Sequence, residues 1–251
     1  MWQDRRFFMA GLMGLMLVVA ACNSPEPKQP EQPVVTPKEE PKPEPPKPKP
    51  MSEFEKMFRD SGLVDLQEYI PGIHIDLKYT TRDNFVKADV YGDLEKCFMR
   101  PEAAEKLKKA QELLKEKHPG YSLLVFDGVR PFRVQQFMWD SLHIPNKRNY
   151  LAPPAEGSIH NYGCAVDLSI ADSLGGQLDM GTPFDFFGEL AQPQLEAKFL
   201  ANGQLTKVQH ANRLLLRDVM RRAGFSNIKT EWWHFNAFAS SSVKAKFTRI
   251  P

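Results

Sequence analysis

Residues 158–170 read SIHNYGCAVDLSI, and residues 231–234 read EWWH. From Cys164 onward the first stretch alternates small or polar side chains with apolar ones, which is typical of a strand. The imidazoles and carboxylates of the two stretches belong to His160, Asp167, Glu231 and His234. Two imidazoles and one carboxylate are a known ligand set for a catalytic zinc ion that keeps one position open. The sequence therefore indicates a metal-dependent hydrolase with a spare glutamate beside the metal.

The spacing of these residues constrains how they can meet. His160 and Asp167 are seven positions apart, so one continuous strand would point their side chains to opposite faces. We therefore predict a turn at residues 161–163, which read NYG. Glu231 and His234 are three positions apart and pose the same problem. Glu231 is expected where the second strand begins or beside a bulge, and a regular strand through residues 231–234 would count against the hypothesis.

The chemistry of such a site assigns a role to each residue type. A zinc ion held by two neutral imidazoles and one carboxylate keeps a net positive charge, which lowers the pKa of bound water to about 7. That water is the expected nucleophile, and Glu231 is the expected general base and acid that passes its proton to the leaving amine. A developing oxyanion needs further positive charge. Arg130, in a turn before a predicted helix, is the candidate.

The surrounding pattern predicts an α+β domain over residues 51–251, with a mostly antiparallel sheet and flanking helices. Strands are predicted at residues 73–79, 121–126, 164–170 and 230–238, with a hairpin turn at Gly175 and Gly176. Helices are predicted at residues 101–117, from Pro131 through Trp139, and at residues 209–222. The inner side of the last helix is expected to carry Ala211, Leu214, Leu215, Val219 and Met220.

The N-terminal segment has the layout of a secretory signal. Two arginines precede an apolar run at residues 7–20, which is too short for a comfortable transmembrane helix. Residues 19–22 read VAAC, which resembles the lipobox of bacterial lipoproteins. We predict a signal peptide over residues 1–21 and a lipid on Cys22, the alternative being an ordinary signal peptide. The protein is then anchored by its lipid to a membrane of the cell envelope, outside the cytoplasm.

A linker follows the lipidation site. Residues 22–50 contain 11 of the 21 prolines, together with Glu, Lys and Gln. This composition predicts a semi-rigid, extended tether that forms no core.

The remaining cysteines and the net charge limit other interpretations. Cys97 and Cys164 either pair in a disulfide or remain two small buried thiols, and the sequence leaves both open. The formal net charge is only +2. This balance gives no support for nucleic-acid binding. No feature of the sequence indicates an obligate protein partner.

Five ordered motifs resemble the zinc D-alanyl-D-alanine dipeptidases of the VanX type, which are related to D,D-carboxypeptidases and hedgehog-like peptidases. The motifs, within residues 65–238, are DLKY at 76–79 with DNF at 83–85, DGVRP at 127–131, Ser158-x-His160 through Asp167, Gly181 with FDF at 184–186, and EWWH at 231–234. The resemblance implies the hedgehog-like, D,D-peptidase zinc fold in a single domain.

The resemblance also implies roles residue by residue. One zinc ion per chain is bound by His160, Asp167 and His234, and Glu231 is the general base and acid. Arg130 steadies the transition state, Asp185 receives the free ammonium group of the substrate, and Ser158 and Tyr79 line a small dipeptide pocket. An ammonium partner restricts cleavage to short substrates with a free amino terminus.

Two differences from the best-known resistance enzymes of this family bear on the functional hypothesis. Ile159 stands where those enzymes have a second serine. Those enzymes also work in the cytoplasm, whereas this protein is predicted to be anchored outside it. The predicted activity is therefore hydrolysis of D-Ala-D-Ala and similar small dipeptides released from peptidoglycan. The alternatives are a D,D-carboxypeptidase that trims stem peptides and a catalytically inactive wall-binding lipoprotein.

Overall fold

A five-stranded sheet carries the sequence motifs. The structure is a computed structural model that describes residues 50–145 and 147–251. The predicted signal peptide, Cys22 and the tether up to residue 49 lie outside the described residues. Within the described part, no helix is both long and apolar enough to cross a membrane.

The strands form two sheets. They are β1 (Val64–Asp65), β2 (His74–Ile75), β3 (Phe98–Met99), β4 (Ser122–Asp127), β5 (Ala165–Ala171), β6 (Ser226–Asn227) and β7 (His234–Asn236). The large sheet has the order β2-β4-β5-β7-β6, and β1 pairs with β3 in a small antiparallel sheet. In the large sheet only β2 and β4 are parallel. The prediction of a mostly antiparallel sheet is confirmed.

Helices flank this sheet. They are α1 (Glu53–Asp60), α2 (Leu66–Tyr69), α3 (Pro101–Lys117), α4 (Phe132–Ser141), α5 (Glu196–Ala201), α6 (Lys207–Arg222) and α7 (Ser240–Lys246). Helix α3 begins with Pro101, whose missing N–H costs nothing in a first turn, and it packs against α6 and β4. The α+β class is confirmed.

Strand β5 lies at the centre of the large sheet. Each of its seven residues is buried, so both of its faces are covered. A polar side chain on β5 is therefore out of solvent and needs partners within the protein. This places Asp167 in the interior before any chemistry is considered.

Two predicted strands are shorter than expected. Only His74–Ile75 pairs with β4, and the chain then turns into a 3₁₀ helix at Lys78–Thr80, which buries Tyr79. The second strand covers only His234–Asn236 rather than residues 230–238. Alternation of side chains predicted strands here, but backbone pairing ends where neighbouring strands end.

The buried side of α6 also differs from the prediction. Leu214 is 46% exposed and Ala211 is exposed, whereas Arg213 and Leu216 are buried. Val219 and Met220 are buried and Leu215 packs against the core, as predicted. The buried face nevertheless extends to Arg213, whose guanidinium contacts backbone carbonyls and Glu196. Prediction of a buried helix face assumes that charged residues are exposed, and it fails where a charged residue is buried.

Both cysteines of the domain are buried free thiols. Cys97 and Cys164 form no disulfide with each other. Of the two alternatives left open by the sequence, the structure has the pair of small buried thiols.

Candidate active site

Two of the candidate ligands face each other across neighbouring strands. Asp167 on β5 is directly opposite His234 on β7 in the antiparallel register. Side chains at directly opposed positions lie on the same face of a sheet. His234 Nδ1 is 2.9 Å from Asp167 Oδ1.

His160 reaches the same point by a turn. It lies in a 3₁₀ helix at Ile159–Tyr162 that ends at Gly163, whose φ of 70° is in the left-handed region. A Cβ atom at Gly163 would also lie 2.9 Å from Leu63 Cδ2, so both conformation and space favour glycine. The turn expected at residues 161–163 is present.

Hydrogen bonds at the far side of each imidazole set which nitrogen is free. His160 Nδ1 lies 2.7 Å from the carbonyl oxygen of Gly128, and His234 Nε2 lies 3.0 Å from Asn236 Oδ1. Both oxygens accept hydrogen bonds, so a proton on each of these nitrogens would leave His160 Nε2 and His234 Nδ1, which lie beside Asp167, free to bind a metal ion.

The three free ligand atoms match a zinc site. His160 Nε2 is 3.1 Å from His234 Nδ1 and 3.3 Å from Asp167 Oδ1. Tetrahedral coordination at usual zinc–ligand lengths spaces ligand atoms by about 3.3 Å. The three ligand atoms are therefore close enough together to bind a single zinc ion. Among the described residues, this trio alone forms a group of three or more side chains able to hold a metal.

Glu231 lies outside the regular strand. It precedes β7, as the spacing argument required, and it is buried. Burial raises the pKa of Glu231 to about 8, while the nearby His234 opposes the shift. A carboxyl group with a pKa near neutrality is suited to accept and return a proton at physiological pH.

This raised pKa predicts a pH dependence of stability in the metal-free protein. The folded-state pKa of about 8 exceeds the ordinary 4.5, so the folded protein holds this proton more tightly than the unfolded chain does. The contribution of the protonated carboxyl to the free energy of unfolding is therefore complete below pH 4.5 and is lost as pH rises through 8. We expect the free energy of unfolding to fall more steeply with pH in the wild type than in Glu231→Gln. Denaturant titrations from about pH 5 to about pH 9 measure both slopes, and parallel slopes would contradict the shift.

Arg130 is held from several sides. It lies just before α4, and its Nε donates to Asp127 Oδ2 at 2.9 Å. Nη1 donates to Gln135 at 3.2 Å, and Nη2 lies 3.4 Å from Asp167 Oδ2. Burial opposes the charged form, but Asp127, Tyr79, Tyr91 and Asp167 together raise the pKa of Arg130 above its ordinary value. The guanidinium is a fixed positive charge beside the ligand cluster.

A cavity of about 300 Å³ joins the candidate residues. All eight candidates in the described part line it: Tyr79, Arg130, Ser158, His160, Asp167, Asp185, Glu231 and His234. Further aromatic residues complete the wall: Phe85, Tyr150, Phe187 and Trp233. This volume is at the lower end for ligand pockets. The cavity is sized for a small molecule.

Asp185 occupies an unusual backbone conformation in this cavity. Its φ is 59°, in the left-handed region that a non-glycine residue rarely adopts. Tyr79 donates its hydroxyl hydrogen to Asp185 Oδ2 at 2.9 Å. Burial raises the pKa of Asp185 well above its ordinary value. A cationic partner would favour the ionised form of this carboxyl group.

Ser158 lines the cavity and also makes a structural hydrogen bond. Its Oγ accepts a hydrogen bond from the backbone N–H of His160 at 3.3 Å, which caps the short 3₁₀ helix. The structure thus places Ser158 where it orients a ligand residue.

The roles of three residues of the site were not predicted from the sequence. Asp127 and Gln135 hold Arg130, and Asn236 orients His234. Asn236 follows His234 by two positions in a strand, so the same-face rule could have indicated it. Gln135 gave no comparable signal, because its partner Arg130 precedes the helix.

Comparison with known proteins identifies the family of this chain. The profile of the D-ala-D-ala dipeptidase family, Peptidase_M15, matches residues 59–250. The chain belongs to the D-Ala-D-Ala dipeptidase family. A D-alanyl-D-alanine dipeptidase of Escherichia coli (strain K12) is 32% identical over 173 residues, covering 69% of this chain and 83% of that protein. One from Enterococcus faecium is 34% identical over 194 residues, covering 69% and 90%.

Membership of this family makes the protein a metallopeptidase of the zinc-dependent class. A solved structure of the LdcB LD-carboxypeptidase is similar over 74% of this chain and 72% of its own, with 22% identity and a TM-score of 0.40. A likeness this weak says nothing about the substrate.

Proposed function

We propose that this protein hydrolyses D-Ala-D-Ala and similar small D,D-dipeptides to free amino acids with one zinc ion per chain. The observation that carries the proposal is the convergence of His160, Asp167 and His234, with their free ligand atoms 2.9–3.3 Å apart, beside buried Glu231. A buried set of lone pairs and an adjacent carboxylate suit hydrolysis better than any binding role.

In this proposal zinc, when bound, acts as a Lewis acid and makes water nucleophilic at neutral pH. His160 and His234 are held as ligands by Gly128 and Asn236, so their orientation does not depend on the ion. Glu231 takes a proton from the attacking water and delivers it to the nitrogen of the leaving D-alanine. Burial raises the pKa of Glu231 to about 8 in the metal-free protein, and the positive charge of a bound zinc ion would lower it toward the range of a general base.

Arg130 stabilises the negative charge that develops on the scissile carbonyl oxygen. Its guanidinium is buried and already fixed by Asp127 and Gln135, so no reorganisation is needed during reaction. Preorganised positive charge in a site from which water is excluded is worth more than the same charge in water.

Asp185 binds the ammonium group of the substrate. We expect Asp185→Asn to lower kcat/KM for D-Ala-D-Ala by about 10²-fold, mainly through KM, because a charge-assisted hydrogen bond is lost. Steady-state kinetics measure the effect. The matched control is Glu189→Gln, an exposed carboxylate near the end of the same loop. An equal loss in both variants would contradict the role of Asp185.

The proposed place of action is outside the cytoplasm, on a lipid anchor at Cys22. The support is the signal-like segment and the VAAC sequence at residues 19–22. There the protein would consume dipeptides released from peptidoglycan during wall turnover or for nutrition.

A substrate panel tests the proposal. Zinc-loaded protein is incubated with D-Ala-D-Ala and with a pentapeptide stem that ends in D-Ala-D-Ala. We expect hydrolysis of the dipeptide and little release of alanine from the pentapeptide, which lacks an ammonium group at the position facing Asp185. Cleavage of the pentapeptide alone would establish the carboxypeptidase alternative. Turnover no higher than that of Glu231→Ala on every peptide would establish the inactive one.

A further inference from the structure

The loop that carries Asp185 needs support from outside itself. Left-handed backbone at a non-glycine residue costs roughly 1–3 kcal/mol and persists only where the surroundings determine it. Tyr79 contacts the carboxylate of Asp185, but a side-chain contact does not fix the backbone on either side. Phe184 and Phe187, on either side of Asp185, pack against neighbouring aromatic rings. Contacts at the two ends of the loop add to this support.

Arg213 on α6 contacts both ends. Its Nε donates to the carbonyl oxygen of Met180 at 2.6 Å, and its Nη1 donates to the carbonyl oxygen of Leu190 at 3.0 Å. The two carbonyls lie five residues before and five residues after Asp185. One planar guanidinium therefore closes the loop of residues 180–190, which a single-point lysine ammonium could not do in the same geometry.

The contact is buried and anchored. Arg213 is 1% exposed, and its Nη1 lies 3.6 Å from the carboxylate of Glu196, itself buried. The remaining nitrogen, Nη2, has no hydrogen-bond partner within the described residues. Burial of a charged group is expensive, so a buried guanidinium committed to two loop carbonyls indicates a specific positioning role.

The same arginine connects the loop to the segment of Glu231. Its guanidinium lies 5.8 Å from the ring of Trp232, the neighbour of Glu231. The Trp232 indole N–H donates to Thr182 Oγ1 at 2.8 Å, within the loop. Arg213, Trp232 and the loop thus form one packed unit behind the cavity.

We propose that Arg213 is a positioning residue for recognition of the substrate's amino terminus, holding the loop of residues 180–190 so that Asp185 faces the cavity. The proposal rests on the proposed function for the chemistry that Asp185 performs. Arg213 touches neither the substrate nor the ligand cluster, and it acts through the loop.

The chain offers a matched control on the same helix. Arg217 lies one turn further along α6 and donates to the same carboxylate, Glu196, at 2.6 Å. Within the part of the chain that the structure describes, no hydrogen bond joins Arg217 to a carbonyl of this loop. Arg217→Met therefore removes an arginine and an ion pair with Glu196 while leaving the two ends of the loop held.

A double-mutant cycle separates positioning from general stability. We expect Arg213→Met to lower kcat/KM for D-Ala-D-Ala by about 30-fold to 100-fold, mostly through KM, since small misplacements cost about 10²-fold. In an Asp185→Asn background the further loss of kcat/KM caused by Arg213→Met should stay within about threefold, because the carboxylate that Arg213 positions is already gone. Arg217→Met should stay within about threefold of the wild type. A full additional loss in the Asp185→Asn background, or an equal loss in Arg217→Met, would overturn the proposal.

Hydrogen exchange tests the same claim without catalysis. In substrate-free protein, Arg213→Met should expose the amides of residues 181–190 to exchange about tenfold faster, while Arg217→Met leaves them unchanged. Unchanged exchange in Arg213→Met would reject the role of Arg213 even if the dipeptide is hydrolysed. Faster exchange in a protein that hydrolyses no dipeptide would instead reject only the proposed function. Arg213→Lys, which keeps the charge, serves if Arg213→Met does not fold, and should lie between Arg213→Met and the wild type.

Discussion

Glu231→Gln should lose about 10²-fold to 10⁴-fold of kcat on D-Ala-D-Ala while keeping its zinc. Glutamine has the same shape, and the side chain is not a ligand, so the metal cluster is left intact. What disappears is the group that carries a proton from water to the leaving amine. The measurement is kcat by detection of released D-alanine, with bound zinc determined on the same sample.

The zinc content is the control for this prediction. A variant that is inactive because it lost zinc would assign Glu231 to metal binding. A variant with one zinc and near wild-type kcat would contradict the proton-transfer role. Because burial raises the pKa of Glu231 in the metal-free protein, the amide should not destabilise the fold near neutral pH.

Removal of a ligand should have the other large effect. His160→Ala deletes one of three ligand atoms, and we expect loss of stoichiometric zinc together with loss of hydrolysis. Two remaining ligands cannot hold the ion against a chelator of moderate affinity. Competition with such a chelator measures the dissociation constant in each variant.

Asn236→Ala provides a graded comparison. It keeps all three ligands and deletes only the hydrogen bond that orients His234. Zinc affinity should fall by about 10-fold to 100-fold, well short of the loss in His160→Ala. Equal affinities in the wild type and His160→Ala would remove His160 from the ligand set.

Much of the candidate site could be predicted from the sequence because parity in strands is a strict geometric rule. The odd spacings within residues 158–167 and 231–234 required a turn before Asp167 and an irregular position for Glu231. The structure has a left-handed Gly163 and places Glu231 before β7. Strand β5 was also predictable, since its alternation extends over the whole strand.

Contacts that depend on tertiary structure could not be predicted in this way. The inner face of α6 was predicted only in part: Val219 and Met220 are buried as expected, whereas Ala211 and Leu214 are exposed. Arg213 is buried instead, by partners that come from the loop of residues 180–190 and from Glu196. Likewise, no local sequence pattern predicts the left-handed backbone conformation of Asp185. Both features depend on packing between segments distant in sequence, which periodicity does not record.

Zinc-dependent hydrolysis is tested most directly by the rate of D-Ala-D-Ala hydrolysis as a function of zinc bound per chain. Metal-free protein is titrated with zinc, and turnover and bound metal are measured on each sample. We predict negligible turnover without metal and a rate that rises to a plateau at one zinc per chain. Turnover that is already complete in metal-free protein, or absent at one bound zinc, would contradict it.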